Sequence, residues 1–227
     1  MPMTLGLSIP FYNEAAVIPQ SLTALADALS ALPHKSVVVL VNNGSTDATG
    51  ERLAEWCERY PTRFTLCDLP HNQGYGGGIL AGLRILEAKE VDWIGWMWGD
   101  NQIDPQILTP LCGALVDGAD LAKANRIDRQ DGWQRLAVTR AYHHLMKWKG
   151  YSMADINGCP KIMTRALYEH IQPTAHNWFL DPEVMIAAQT LGAAVHNEET
   201  VMRPRLGGES KIKATTLIEF LWYVRGL

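Results

Sequence analysis

At 227 residues, with 47% hydrophobic and 19% charged residues, the chain is long enough for one sizeable α/β core and too short for two ordinary domains with a linker. Its formal net charge of -4 argues against a protein that holds nucleic acid mainly by neutralising phosphates. Four cysteines, Cys57, Cys67, Cys112 and Cys159, stand far apart with no Cys-x-x-Cys pair, so neither a zinc knuckle nor a disulfide scaffold is encoded and reduced thiols are expected.

The first strand is expected over Leu5 to Pro10, and it runs into Phe11-Tyr12-Asn13-Glu14. Ile18, Leu22, Leu25, Leu29 and Leu32 then recur at helical spacing, and Pro33 closes that helix. A second strand, Val37 to Val41, exits through Asn42-Asn43-Gly44-Ser45-Thr46-Asp47 into a helix near Ala48 to Tyr60, with Thr46 or Asp47 as its N-cap. Phe64 to Leu69 is a third strand, followed by a glycine run, Gly74 to Gly78, and a helix that turns Ile79, Leu83 and Leu86 inward. The fourth strand, Val91 to Trp98, ends in Gly99-Asp100-Asn101-Gln102. Pro105 opens the next helix, and Asp120 to Ala124 is a fifth strand.

This alternation predicts a single α/β domain with a right-handed, mostly parallel, Rossmann-like sheet flanked by helices. The second half is less regular. A helix is expected from Trp133 to Lys149, a turn over Asp155 to Lys161, a short helix, a loop around Pro173 to Trp178, a helix from Asp181 to Leu191 burying Val184, Ala188 and Leu191, and a basic loop from Arg203 to Lys213. Residues 1–213 are assigned to the domain and 214–227 to an apolar C-terminal helix, whose Leu217, Phe220, Leu221 and Trp222 call for the body, a partner or a bilayer interface to pack on. The start of the chain lacks a signal-peptide pattern and no stretch approaches the roughly 20 apolar residues of a membrane span, so a cytoplasmic protein is expected.

In open α/β sheets the ligand lies beyond the carboxyl ends of the strands, so three polar strand exits are expected to line one crevice. Asp100, after a run containing Trp93, Trp96 and Trp98, needs a cation or donors, with capping of the helix at Pro105 as the structural alternative. Magnesium takes one or two carboxylates plus phosphates and waters, so Asp100 with Gln102 suits a metal that arrives with a diphosphate, while Asp104 reads equally well as an N-cap. Asn43 both donates and accepts, as a base edge requires, and Asn-Gly is equally a turn dipeptide. The glycine run is a weak phosphate-loop signal, better read as backbone open to close approach. Asp181 and Glu183 start a helix, where they serve either its dipole or an acceptor. Arg203, Arg205, Lys211 and Lys213 suit a diphosphate or a solvated surface. No histidine spacing indicates a metal, and no Gly-x-Ser-x-Gly elbow is present.

Ile9-Pro10-Phe11-Tyr12-Asn13-Glu14, Val41 to Asp47, Asn72-Gln73-Gly74, Gly99-Asp100-Asn101-Gln102 and Gly208-Glu209-Ser210-Lys211, in this order, resemble a family-two glycosyltransferase of GT-A fold. Asp-x-Gln with a late Gly-x-Ser-Lys resembles its branch of dolichol-phosphate mannosyltransferase and other polyprenyl-phosphate glycosyltransferases. The resemblance implies an inverting, metal-dependent hexosyltransferase that uses Mg²⁺ or Mn²⁺, a nucleotide-sugar donor and a polyprenyl-phosphate acceptor, peripheral at the inner face of the membrane. A homo-oligomer is compatible with it. Transfer to a sugar hydroxyl, with Asp181 or Glu183 as base, and a non-catalytic nucleotide-sugar binding module are the alternatives. By the same resemblance Pro10, Tyr12, Glu14 and Asn43 hold base and ribose, with Gly74 in the donor site. Asp100 and Gln102 take the metal and diphosphate, and Arg205 and Lys211 the phosphates. The chain departs from the family pattern in Asn42-Asn43, where two acids are usual, in Trp98, where a metal-side acid is usual, and in Pro160-Lys161.

Overall fold

The computed structural model describes residues 2–127 and 154–204. The expected Trp133 to Lys149 helix, Arg205, Lys211 and the 214–227 segment lie outside them. The strands are β1 (Thr4–Phe11), β2 (Lys35–Asn43), β3 (Phe64–Leu69), β4 (Trp93–Trp96), β5 (Leu121–Ile127), β6 (Lys161–Thr164) and β7 (Val195–Val201). They form one sheet in the order β3-β2-β1-β4-β6-β5-β7. Six of the seven run parallel to one another. Only β6 is reversed, antiparallel to both β4 and β5.

Helices cover both faces. The helices α1 (Ile18–Ala31), α2 (Thr49–Arg59) and α4 (Leu108–Val116) enclose one core with Leu5, Leu7, Ile9, Val38 and Leu40. On the other face α3 (Gly74–Glu87), α5 (Arg165–Ile171) and α6 (Leu180–Thr190) enclose a second core with Val39, Val41, Ile94 and Trp96. Successive β2 residues therefore serve opposite cores, the two-sided burial that makes parallel strands continuous apolar runs.

Strand β1 is asymmetric. Its large residues Leu5, Leu7 and Ile9 face the first core, and its small Gly6 and Ser8 face α3. A Cβ on Gly82 of α3 would stand 2.1 Å from the Ser8 oxygen, and Ser8 donates to the Ile79 carbonyl at 2.8 Å. This small-on-small contact lets α3 lie directly on the sheet and brings its first turn to the β1 and β2 exits.

The expected β1 to β5, α1 and α3 are present, and Ile18, Leu22, Leu25, Leu29, Ile79, Leu83 and Leu86 are all buried. Strand β4 is shorter than expected, and β6 and β7 are additions to the sequence reading. Leu191, expected in the core, follows the last turn of α6 and is 52% exposed.

Candidate active site at the strand exits

The exits of β1, β2 and β4 come together at the carboxyl end of the sheet. Pro10 pairs with Val41 and Phe11 with Asn42 in the β1–β2 register, and the Met97 amide donates to the Ser8 carbonyl beside them. A Cβ on Gly99 would meet the Phe11 ring at 2.4 Å, so the Asp100 loop lies against the end of β1. The loops after β1 and β2 are stitched together. Asn13 accepts from the Thr46 amide at 2.8 Å, the Glu14 amide donates to Thr49 Oγ1 at 2.9 Å, and the Ala15 amide donates to Asp47 at 3.2 Å. Asp47 also accepts from the Thr49 amide at 3.0 Å, but the N-cap of α2 is Ala48, without a side-chain cap, and not Thr46 or Asp47 as expected: the Asp47 carboxylate is taken up by the Ala15 and Thr49 amides. Asn13 at φ 52 and Gly44 at φ 67 take the left-handed turns this stitching needs.

Asn43 is buried with both ends of its carboxamide on backbone: it accepts from the Gln73 amide and donates to the Gly74 carbonyl, each at 2.9 Å. It thereby fixes the loop that starts α3 instead of turning its amide edge outward. Asn42 similarly donates to Asp68 at 2.7 Å and accepts from the Ser45 amide. The glycine run lies inside α3, and its close approach is to protein. Cβ atoms on Gly76 and Gly78 would stand 2.1 Å from the Ala175 carbonyl and 2.7 Å from Asn43 Nδ2.

At the β4 exit, Asp100 accepts from the Gln102 amide at 3.1 Å. Asn101, at φ 58, is buried and its Oδ1 has no hydrogen-bond partner. Gln102 and Arg203 are joined by two hydrogen bonds: the Arg203 amide donates to the Gln102 carbonyl at 2.7 Å, and the Gln102 side-chain Nε2 donates to the Arg203 carbonyl at 3.3 Å. Asp104 caps the 3-10 turn Pro105–Ile107 and pairs with Arg203. The end of β7 is thus tied to the Asp100 loop.

Behind Asp100 lies a buried polar network that the sequence reading did not anticipate. Asp181, 1% exposed, accepts from Lys161 Nζ at 2.6 Å, Tyr75 Oη at 2.7 Å and Trp96 Nε1 at 3.3 Å. Tyr75 in turn accepts from Trp98 Nε1 at 3.0 Å and stacks on Trp178 with ring centroids 4.2 Å apart. Burial and the Asp181 charge raise the Tyr75 hydroxyl well above the usual phenol range, so it stays a donor. Arg126 lies over the Trp98 ring and is clamped through Nε and Nη2 to Asp155 at 2.7 and 2.6 Å. Burial alone would raise the Asp155 carboxyl; the hydrogen bonds and charge of Arg126 outweigh it and bring it down to about 2. Lys123 is fully buried on the Ala124 and Asp155 carbonyls, and desolvation, reinforced by the Lys161 charge, lowers it to about 7. Glu183 accepts from the Thr174 amide and hydroxyl and from the Ala175 amide, holding the 173–178 loop over α3.

Of the residues selected from sequence, Pro10, Tyr12, Glu14, Asn43, Gly74, Asp100 and Gln102 stand at these exits, and Asp181 and Glu183 form the wall behind them. Among the described residues no three histidine, cysteine or acidic side chains converge on one point. The Asp100 carboxylate is an oxygen donor of the kind a hard divalent cation takes when phosphate oxygens complete its shell.

The family model described as glycosyl transferase family 2 matches residues 7–172, from the first strand through the Asp100 loop to α5. The chain belongs to this family. Among curated relatives, this family 2 chain is 31% identical over 152 residues to the undecaprenyl-phosphate 4-deoxy-4-formamido-L-arabinose transferase of Edwardsiella ictaluri, covering 66% of the chain and 46% of that protein. It is 27% identical over 216 residues to the transferase of the same name from Serratia proteamaculans, covering 94% and 64%. The chain thus spans about half to just under two thirds of the length of these relatives. Glucosyl-3-phosphoglycerate synthase from Mycobacterium tuberculosis, solved with Mn²⁺, UDP-glucose and phosphoglyceric acid, superposes with a TM-score of 0.72 at 20% identity, covering 99% of this chain and 80% of that one. This likeness establishes the GT-A fold.

Proposed function

We propose that this family 2 chain is an inverting transferase that moves a sugar from a nucleoside diphosphate to a polyprenyl phosphate. The observation that carries this reading is the convergence of the β1, β2 and β4 exits, which brings the Asp100 loop against the loops that carry Glu14 and Asn43. The names of the curated relatives supply the lipid acceptor, and the complexes of the solved neighbours supply UDP-sugar and Mn²⁺ as the donor chemistry.

Pro10, Tyr12 and Glu14 face the base and ribose, and Asn43 shapes that pocket through the Gln73–Gly74 loop it holds. Asp100 would hold Mg²⁺ or Mn²⁺, with Gln102 tying its loop to Arg203. A cation there neutralises charge on the departing diphosphate. Arg205 and Lys211, which lie outside the described residues, are assigned to the same phosphates by the family resemblance. Acting on a lipid at the inner face of the membrane calls for peripheral docking, a role for the apolar 214–227 segment. No helix among the described residues is long and apolar enough to cross a membrane.

One observation favours a phosphate over a hydroxyl acceptor. A hydroxyl must lose its proton near the transition state. Asp181 is buried on Lys161, and Glu183 is engaged by the 173–178 loop, so both candidate bases already serve internal donors. An ionised lipid phosphate attacks without a base.

The test is transfer from a panel of UDP-sugars to undecaprenyl phosphate, read by mass spectrometry of the lipid. The expected result is a lipid heavier by one sugar, lost by about 100-fold or more in Asp100→Ala. Transfer undiminished by Asp100→Ala, or glycosylation of a sugar hydroxyl with the lipid untouched, would contradict the reading.

A further inference from the structure

Trp178 is the half-buried outer end of the network behind Asp100. Its ring lies flat on Tyr75, with centroids 4.2 Å apart and planes 11° from parallel, and the Tyr75 hydroxyl joins Trp98 to Asp181. Tyr75 and Trp98 also pack against the hydrophobic cores, whereas Trp178 is not among the described side chains that do so. One face of the indole is therefore supported from behind, and the ring fills no core.

The backbone on both sides of this ring is pinned. Glu183 accepts from the Thr174 and Ala175 amides, the His176 carbonyl accepts from the Gly77 amide at 2.8 Å, and Asn177 Oδ1 accepts from the Phe179 amide at 2.9 Å. A large aromatic side chain held in one orientation yet left half in solvent has lost its freedom without full burial in return; what it offers is a preorganised flat face. That face stands in a telling place. Tyr75 follows Gly74, whose carbonyl is held by Asn43, and its hydroxyl reaches Trp98, two residues before Asp100. The stack thus spans the interval between the pocket proposed for the nucleoside and the Asp100 loop, where the sugar of a nucleotide sugar lies.

We propose that Trp178 is the residue that reads the transferred sugar, with the pyranose ring of the donor lying on the indole face that Tyr75 supports. The proposal rests on the nucleotide-sugar reading above and deepens it, because it makes the chain select a donor by its sugar as well as by its nucleotide. The face of an aromatic ring carries negative charge and attracts the slightly positive hydrogens of a sugar's C–H face. Tyr75 donates to the Asp181 carboxylate, which enriches the supporting ring in electron density. The neighbours of Trp178 in its loop, Thr174, His176 and Asn177, are polar, which suits a sugar with its hydroxyls and not a prenyl chain.

Titration calorimetry of the full chain with UDP, UDP-glucose, UDP-galactose and UDP-N-acetylglucosamine, each with Mn²⁺ present, tests this. In Trp178→Ala the UDP-sugar that the wild type binds most tightly is expected to lose about tenfold in affinity while UDP changes by less than about twofold, and Trp178→Phe is expected to stay within about threefold of the wild type for both. A second measurement needs no variant: the ring protons of that sugar are expected to shift upfield on binding the wild type, the ring-current signature of a stacked indole, and this decides the matter where a Trp178 variant fails to fold. Equal losses for UDP and UDP-sugar, no loss for any sugar, or sugar protons unshifted on binding would overturn the proposal and leave the nucleotide-sugar reading standing. Unchanged donor affinity with a raised KM for undecaprenyl phosphate would give the ring to the lipid and overturn it too. Binding of neither UDP nor any UDP-sugar would overturn the nucleotide-sugar reading itself.

Discussion

Asp181 holds four side chains in register: Lys161, Tyr75 and Trp96 directly, and Trp98 through Tyr75. The pair with Lys161 is sealed from water, and breaking a buried ion pair by removing one charge leaves the other uncompensated, a loss of about 3–5 kcal/mol. Asp181→Asn keeps the shape and removes the charge, so urea denaturation is expected to show a stability loss of that order. Native stability with loss of turnover alone would instead mark Asp181 as an accessible base. Sequence singled out Asp181, but not its surroundings. Tyr75 lies 106 residues away and Trp96 85 residues away, and Tyr75 sits within a run notable only for its glycines. No local spacing encodes such contacts. Asn43 shows the converse: its exit was legible, but the same residue type suits a base edge and a turn, and only the fold shows its carboxamide on the backbone of Gln73 and Gly74.

Elements were legible where periodicity was strong. Strands β1 to β4 and helices α1 and α3 carry unbroken apolar runs or clean helical stripes, whereas β6 has four residues beginning with a buried lysine and β7 reads Val-His-Asn-Glu-Glu-Thr-Val, a half-exposed edge. Burial of Lys161 is bought by Asp181 and the Gly158 carbonyl, a tertiary compensation that hides the strand from a hydrophobicity reading. The glycines of α3 reflect its closeness to the sheet and to the 175–177 loop. Gly76→Ala would press a methyl to 2.1 Å from the Ala175 carbonyl and 2.8 Å from that of Asn177, both backbone, and is expected to destabilise by about 1–3 kcal/mol. Gly113, exposed in α4 with nothing within 4 Å of a Cβ, is the counterpart: Gly113→Ala is expected to stabilise by about 0.5–1 kcal/mol. Thermal melts of the two variants should move in opposite directions; a shared sign would refute the packing account of α3.

At the scale of the molecule, one sheet with a single reversed strand among those described gathers three polar exits at its carboxyl end and backs them with a buried charge network. Other concavities exist among the described residues. One of about 630 Å³ lies between α4 and β7, lined by Pro110, Gly113, Asp117, Val195 and His196, at the start of β7 and not at the end that Arg203 ties to the Asp100 loop. Amide chemical shifts recorded while UDP and Mn²⁺ are titrated onto the isotopically labelled chain discriminate between the two places. The account predicts shifts concentrated at Tyr12 to Glu14, Asn43 to Ser45 and Gly99 to Gln102. Shifts concentrated at Gly113 and Val195 to Glu198, with the strand exits silent at saturation, would contradict it.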